Sequence, residues 1–296
     1  MRVFLTGATG FVGSAIVPEL INAGHQVLGL ARSDEGARAL LAAGAEVQRG
    51  SIEDLDILRS GAAAADGVIH TAFNHDFSKF AENSEADRVA IETLGSVLEG
   101  TDRPILVTGG LALQVQGRLA NEEDVAIPVS ASYPRASEAA AIALAERGVR
   151  ASVVRLPQVH DRRKFGLITY LIALAREKGV SAYVGDGHSR YAAVHVLDAA
   201  RLYRLALEKG AHNARYHAVA EEGVLIKEIA EVIGRGLKVP VVAKSPDEVA
   251  EHFGWLGRFA ALDLVASSTR TQQELGWHPT GPGLISDLEQ ANDFEA

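Results

Sequence analysis

Short runs of apolar residues alternate along the chain with stretches in which apolar residues recur every three or four positions. In the first 160 residues the runs predict six strands: RVFLTG, QVLGLAR, AEVQRG, GVIHTAF, PILVTGG and RASVVRLP. The stretches between them predict helices, and the first two end at Gly24 and Gly44. Several strands are almost entirely apolar, which is typical of parallel sheets covered on both faces. The alternation therefore predicts an α/β fold with a doubly wound parallel sheet of right-handed βαβ units.

The pattern becomes less regular after residue 160. Helical spacing returns in GLITYLIALAREKG and in LIKEIAEVIGRGL, and the last predicted helix runs to about residue 294. No internal repeat, low-complexity tract or proline-rich linker divides the chain. We therefore expect one region over residues 1–160 and a smaller C-terminal region over residues 161–296, which packs on the first and contributes late strands near 192–219 to its core.

Composition narrows the classes of function. The net charge of −9 argues against binding to nucleic acid or to an anionic membrane surface. The absence of cysteine excludes disulfides, thiolate catalysis and cysteine-based metal sites. No His-x-x-x-His pair or carboxylate cluster has ligand spacing, so no metal site is predicted. No apolar stretch reaches the ~18 residues of a membrane span, and none precedes the N-terminal glycines as in a signal peptide, so a cytoplasmic protein is expected.

A glycine-rich loop follows the first strand and opens the first helix. In TGATGFVGS the three glycines allow a tight turn, a close approach of the backbone to a pyrophosphate and close packing of helix on strand. The helix N-terminus adds free N–H groups and a partial positive charge. The loop predicts a Rossmann-type dinucleotide-binding region with these contacts: Gly7, Thr9, Gly10, Phe11, Val12 and Gly13.

The end of the second strand predicts NADP(H) rather than NAD(H). Arg32 and Ser33 follow this strand, and an arginine there accommodates a 2′-phosphate. Asp34 keeps NAD(H) open because its carboxylate could reach a ribose hydroxyl, and Arg32 could instead be a solvated surface charge. Ser51 and Ile52, after the third strand, are expected beside the adenine.

These motifs resemble the short-chain dehydrogenase/reductase superfamily, in its extended or atypical branch of NAD-dependent epimerases and dehydratases. TGATGFVG, VVRLPQVH, AAVHVLDAARLY and ELGWHPTGPGLISDL are typical of that branch and occur in order along the chain. The resemblance implies a substrate-binding C-terminal region, a homodimer, and hydride transfer between nicotinamide and a carbonyl or alcohol carbon of a small-molecule substrate. We expect further cofactor contacts from Thr71, Ala72, Tyr133, Leu156, Pro157 and Val159, and substrate contacts from Phe73, His75, Gly110 and Gln158.

The catalytic positions implied by the resemblance match only in part. In SASYPRASEAAA the proton-transferring tyrosine falls on Tyr133, whereas the lysine expected four residues later falls on Ser137. The usual serine falls on or beside Gly110, with Thr108 two residues earlier as a candidate to polarise a carbonyl. A free tyrosine has a pKa of about 10, so Tyr133 without a nearby cation stays protonated at neutral pH. This impairs alcohol oxidation more than carbonyl reduction.

Two functions remain open at this point. The first is an NADP(H)-dependent oxidoreductase that reduces a small carbonyl substrate with Tyr133 as proton donor. The second is a non-catalytic NAD(P)-binding sensor or regulatory protein, in which Tyr133 is only a buried or rim aromatic. Two cations could replace the lysine. Arg135 is expected to point to another face of the helix that follows Pro134, and Lys164 could fold in from the HDRRKFG loop.

Overall fold

A seven-stranded parallel sheet forms the centre of the fold. The computed structural model describes residues 1–115, 117–291 and 294. Within them the strands are β1 Arg2–Thr6, β2 Gln26–Ala31, β3 Glu46–Arg49, β4 Gly67–His70, β5 Ile105–Gly110, β6 Ala151–Leu156, β7 Gln158–His160, β8 Ser181–Val184, β9 Arg190–His195, β10 Arg215–His217, β11 Glu221–Leu225 and β12 Val241–Lys244. The sheet order is β3–β2–β1–β4–β5–β6–β10, with every pair parallel. The predicted doubly wound parallel sheet is confirmed.

Helices cover both faces of this sheet. The α-helices of the described residues are α1 Phe11–Asn22, α2 Asp34–Ala42, α3 Leu55–Ala63, α4 Phe80–Ser96, α5 Ser137–Glu146, α6 Ile168–Lys178, α7 Val196–Lys209, α8 Ile226–Leu237, α9 Val249–Phe253, α10 Gly257–Ala260, α11 Thr269–Leu275 and α12 Leu284–Glu289. One apolar cluster joins the sheet to α1 and α7, and a second joins it to α3, α4 and α5. In the described ranges, none of these helices is long and apolar enough to cross a membrane.

The C-terminal part of the chain divides its strands between sheets. β10 extends the central sheet beside β6, whereas β9 lies in a separate three-stranded sheet between β7 and β11. β8 and β12 form a parallel pair, and α6, α8 and α12 enclose a third apolar cluster. α12 ends at Glu289, before the predicted end of the last helix. Residues 292 and 293 of that predicted span lie outside the described residues.

A buried charged cluster joins β6, α5 and β10. Arg155 is 0% exposed, and its Nε and Nη2 donate to the Glu138 carboxylate at 2.9 and 2.5 Å. Its Nη1 donates to Nε2 of His217 at 3.0 Å. Because Arg155 can only donate, this ring nitrogen accepts, and Nδ1–H of His217 donates to the Ser267 carbonyl at 2.8 Å. His217 is therefore neutral in the folded protein.

The neutral His217 predicts a loss of stability in mild acid. Burial lowers the pKa of His217 to about 4. In the unfolded chain His217 takes up a proton near pH 6.5, whereas in the folded chain it does so only near pH 4. The free energy of unfolding should therefore fall by roughly 3 kcal/mol as the pH is lowered from 6.5 to 4. Urea unfolding from pH 7 to pH 4 measures this slope. His217→Gln should flatten it, and an unchanged slope in that variant would assign it to other groups.

Candidate functional site

The glycine-rich loop has the geometry of a pyrophosphate cradle. Gly7 adopts a φ of +71°, and a Cβ there would lie 2.7 Å from the Ala72 amide nitrogen at the end of β4. A Cβ on Gly13 would lie 2.0 Å from the Gly7 carbonyl oxygen. α1 starts after Gly10, and no side chain caps its first N–H groups. Those amides fit the phosphates of a dinucleotide, because they face outward with no side-chain acceptor of their own.

Two arginines meet where the adenosine end of a dinucleotide would lie. Arg32 follows β2 and is exposed, and Arg49 pairs in register with Ala31 at the end of β3. Arg49 donates to the carbonyls of Arg32 and Ser33, and its Nη2 lies 2.9 Å from the Asp34 carboxylate. Asp34, the residue that kept NAD(H) open, is therefore already paired with a cation. No sequence motif indicates Arg49, because only the pairing of β2 with β3 brings it beside Asp34.

The predicted adenine and ribose residues lie at the same edge of the sheet. Ser51 donates its amide to Asp54 at 2.7 Å directly after β3, and Ile52 packs against the second apolar cluster. The Ser33 hydroxyl accepts the Gly36 amide at 3.1 Å and caps α2, so its side chain stabilises the helix start.

An aromatic wall connects the glycine loop to Tyr133. A Cβ on Gly7 would touch Thr71 as well as Ala72, so the chain after β4 starts against the loop. Phe73 follows, and its ring lies 6.2 Å from that of Phe80, which in turn meets the Tyr133 ring edge-on at 6.4 Å. The rings of Phe73 and His75 are 5.3 Å apart. The predicted substrate residues Phe73 and His75 and the predicted proton donor therefore share one surface.

The C-terminal region contributes to the same wall. Phe77 stacks on Trp255 with ring centroids 4.7 Å apart, and Tyr170 of α6 meets Trp255 edge-on at 5.2 Å. Trp255 is 39% exposed. No sequence motif singled out Trp255, because only the folded chain brings residues 254–256 to the segment that follows β4.

Arg135 does not point away from this surface. α5 begins at Ser137, so Arg135 precedes the helix, and the expectation that it occupies another helix face is wrong. Its guanidinium carbon lies 4.2 Å from the centroid of the Phe73 ring, and its Nε donates to the Ser137 hydroxyl at 3.1 Å. Lys164, the other candidate cation, lies 5.9 Å from the centroid of the Phe11 ring at the start of α1.

A buried polar network lies beneath Arg135. The Ser137 hydroxyl donates to Oδ2 of Asp87 at 2.6 Å, and Oδ1 of Asp87 accepts from Nε2 of His70 at 3.0 Å. Nδ1 of His70 lies 2.8 Å from the Thr6 hydroxyl. Asp87, His70 and Ser137 are each at most 1% exposed. This network fixes the position of Ser137 and, through it, of the Arg135 Nε.

Thr108 has both hydrogen-bonding directions occupied. Its hydroxyl donates to the His70 carbonyl at 2.8 Å, and the fully buried Tyr203 hydroxyl lies 2.6 Å from the same oxygen. Gly110, at the end of β5, has free space around it, because a Cβ placed there would meet no atom within 4 Å.

Gln158, a predicted substrate contact, is buried, and its Oε1 accepts from the Leu167 amide at 2.9 Å. Its side chain therefore holds the turn before α6.

The chain after β6 runs along the remaining side of the site. Leu156 ends β6, Pro157 follows, and Val159 is buried in the cluster shared with α1 and α7.

Within the described residues, no group of three His, Asp or Glu side chains lies close enough to hold a metal ion.

Electrostatics distinguish Tyr133 from His75. Burial raises the pKa of Tyr133 above its ordinary value, and the charge of Arg135 opposes that rise. Loss of hydration lowers the pKa of His75, and the charge of Arg135 adds to this effect. At neutral pH the site therefore contains a protonated phenol, a neutral imidazole and a guanidinium cation.

Comparison with known proteins agrees with this geometry. The sequence model described as NAD(P)H-binding matches residues 7–184, from the first loop glycine to the end of β8. The chain belongs to the NAD(P)H-binding family. A Schizosaccharomyces pombe protein named only as uncharacterized is 48% identical over 97% of this chain and 98% of its own. UDP-glucose 4-epimerase of Streptomyces lividans is 26% identical over 97% of this chain and 94% of its own.

Solved structures share the fold of this NAD(P)H-binding protein. The dTDP-glucose 4,6-dehydratase DesIV of Streptomyces venezuelae, solved with NAD and TYD bound, superimposes with a TM-score of 0.77 at 19% identity, covering 98% of this chain and 96% of its own. The resemblance to extended short-chain dehydrogenases/reductases is thus confirmed, as is the Rossmann-type fold.

Proposed function

We propose that this NAD(P)H-binding protein is an NADP(H)-dependent oxidoreductase that reduces a small carbonyl compound, with Tyr133 as proton donor. The observation that carries the proposal is the continuous surface from the glycine loop through Thr71, Phe73 and Phe80 to the Tyr133 phenol. This surface supports the proposal, because a dinucleotide held by the glycine loop could extend its reactive end along it towards Tyr133. The raised pKa keeps Tyr133 protonated at neutral pH, so the phenol is present as a proton donor for reduction and not as the base that oxidation needs.

The reaction needs one proton from the chain. A bound NADPH would supply the hydride to the carbonyl carbon. Tyr133 Oη donates its proton to the carbonyl oxygen, so the products are an alcohol and a phenolate that solvent reprotonates. Phe80 packs against the Tyr133 ring and Phe73 packs against Phe80, which reduces the contact of the phenol with water and strengthens its interaction with the oxygen. Reactions that begin with an oxidation need the phenolate first, which this environment disfavours.

Measurement of NADPH consumption with a panel of small aldehydes and ketones tests the proposal, with NADH in parallel and UDP-glucose as a nucleotide-sugar substrate. Turnover of carbonyl compounds with NADPH is the expected result. Binding of NADPH without turnover across the panel would favour the sensor function, which the substitutions at Ser137 and Gly110 also support. Epimerisation of UDP-glucose would overturn the proposed direction of the chemistry.

Selectivity for NADP(H) should depend on Arg32. Loss of a charged hydrogen bond costs about 1.5–3 kcal/mol, so Arg32→Ala should raise the dissociation constant of NADPH by roughly 10- to 100-fold. The dissociation constant of NADH should stay within about twofold, because NADH has no 2′-phosphate. Arg59→Ala is the matched control, since Arg59 is exposed on α3 and pairs with Asp56. Equal weakening of both cofactors in Arg32→Ala would contradict the assignment.

A further inference from the structure

The Tyr133 phenol requires a compensating charge when it gives up its proton. A phenolate in a water-poor site is unstable, and the burial of Tyr133 already raises its pKa. The residue that occupies the position of the usual lysine, Ser137, is neutral and directed to Asp87. A cation supplied by the chain would therefore come from a position other than 137.

We infer that Arg135 is the cation that stabilises the Tyr133 phenolate during carbonyl reduction. The inference rests on the proposed function and extends it to a residue that the sequence analysis had set aside. Arg135 lies over the Phe73 ring at 4.2 Å, and Phe73 and Tyr133 both pack on Phe80. The guanidinium and the phenol therefore belong to one contiguous surface.

The buried network gives Arg135 a fixed position. Nε of Arg135 donates to Ser137, whose hydroxyl donates to Asp87, whose other oxygen accepts from His70. The Nε–H is thereby held at the base of the site, and the guanidinium carbon lies over the Phe73 ring at 4.2 Å from its centroid. An arginine keeps its charge at every working pH, so it stabilises the phenolate throughout the catalytic range.

The other charged groups around Tyr133 are less suited to stabilise its phenolate. Glu138 of α5 would disfavour the phenolate, but Arg155 pairs with it at 2.5 Å. Asp87 of α4 lies beneath Ser137, and His75 after β4 is neutral because its pKa is lowered. Lys164 lies over Phe11, at the phosphate end of the site.

Alkaline titration of the phenolate absorbance, without cofactor or substrate, tests the inference independently of turnover. The absorbance change of Tyr133 alone is obtained by subtracting the titration curve of the same protein carrying Tyr133→Phe. Arg135→Gln should raise the pKa of Tyr133 by about one unit, whereas Arg135→Lys should leave most of the wild-type value. Arg147→Gln, which removes an exposed arginine at the end of α5 paired with Glu99, should leave it unchanged.

The pH profile of kcat/KM provides a second readout. In Arg135→Gln the plateau for carbonyl reduction should fall about tenfold because the phenol becomes a weaker acid, and the alkaline limb should move to higher pH. A merely structural role would lower the plateau without moving that limb. Arg135→Lys, checked for folding by thermal unfolding, should restore both features.

The outcomes separate this inference from the proposed function. An unshifted Tyr133 titration in Arg135→Gln overturns the role of Arg135 even if the enzyme reduces carbonyl compounds. A shifted titration in a protein that turns over no carbonyl compound upholds the pairing of Arg135 with Tyr133 and overturns the proposed reaction. A Tyr133 pKa that rises in Lys164→Gln but not in Arg135→Gln would transfer the role to Lys164.

Discussion

Tyr133→Phe is expected to lower kcat/KM for carbonyl reduction by about 10²- to 10³-fold, which is the usual contribution of a positioned general acid. The phenylalanine keeps the ring that packs edge-on against Phe80, so the aromatic wall should remain. Only the proton donor is lost, and water must replace it in a site lined by Phe73 and Phe80. Steady-state kinetics with NADPH and the best carbonyl substrate measure the effect.

Tyr183→Phe is the matched control for this substitution. Tyr183 lies in β8 near Lys227, away from the aromatic wall, and the same loss of one hydroxyl there should leave kcat/KM unchanged. The dissociation constant of NADPH should change little in Tyr133→Phe, which separates a chemical defect from a binding defect. Equal rates in the wild type and in Tyr133→Phe would show that another group donates the proton.

Arg155→Met is expected to cost about 3–5 kcal/mol of unfolding free energy, the range found when one partner of a buried ion pair is removed. Arg155 is fully buried, and four of its hydrogen bonds join β6 to α5, β10 and the Asp124 carbonyl. Among the described residues, methionine would leave the buried Glu138 with a contact to Arg215, whose Nε lies 3.5 Å away. The substitution removes more than packing, since the buried carboxylate loses both of its hydrogen bonds from Arg155.

A double-mutant cycle isolates this charge effect. Glu138→Gln in the Arg155→Met background should recover part of the loss, because no buried charge is then unpaired. Urea unfolding of the four proteins at pH 7 gives the coupling energy. A loss of less than about 1 kcal/mol in Arg155→Met, or strict additivity in the cycle, would contradict a strong buried pair.

The local patterns predicted the first half of the fold well. All six strands predicted before residue 160 are present as β1 to β6. Five of them are buried along nearly all of their length and therefore appear as apolar runs, whereas β3 is exposed at both ends. The glycine loop was equally readable, since Gly7 and Gly13 occupy positions where any side chain would collide with backbone.

The later strands were harder to assign from the sequence. β7, β8 and β12 are three or four residues long, which is too short to show an alternation of apolar and polar residues. β9 (RYAAVH) and β10 (RYH) both begin with arginine and tyrosine, yet only β10 joins the central sheet. Which sheet a late strand joins depends on long-range pairing, and no local pattern encodes it.

The candidate site likewise combines features that the sequence predicts with features that only the folded structure shows. The sequence alone determined the fold class and the glycine-rich loop between β1 and α1, and it predicts Tyr133 as proton donor without a lysine at position 137, because each follows from a contiguous motif. Only the tertiary structure decided that Arg49 pairs with Asp34, that Trp255 meets Phe77 and that Arg135 lies over Phe73. The position of Arg135 depended on where α5 begins: the helix starts at Ser137, two residues later, so the spacing rules for a helix do not apply to Arg135. Side-chain direction outside regular elements follows from packing against distant segments, which a sequence read along its length does not contain.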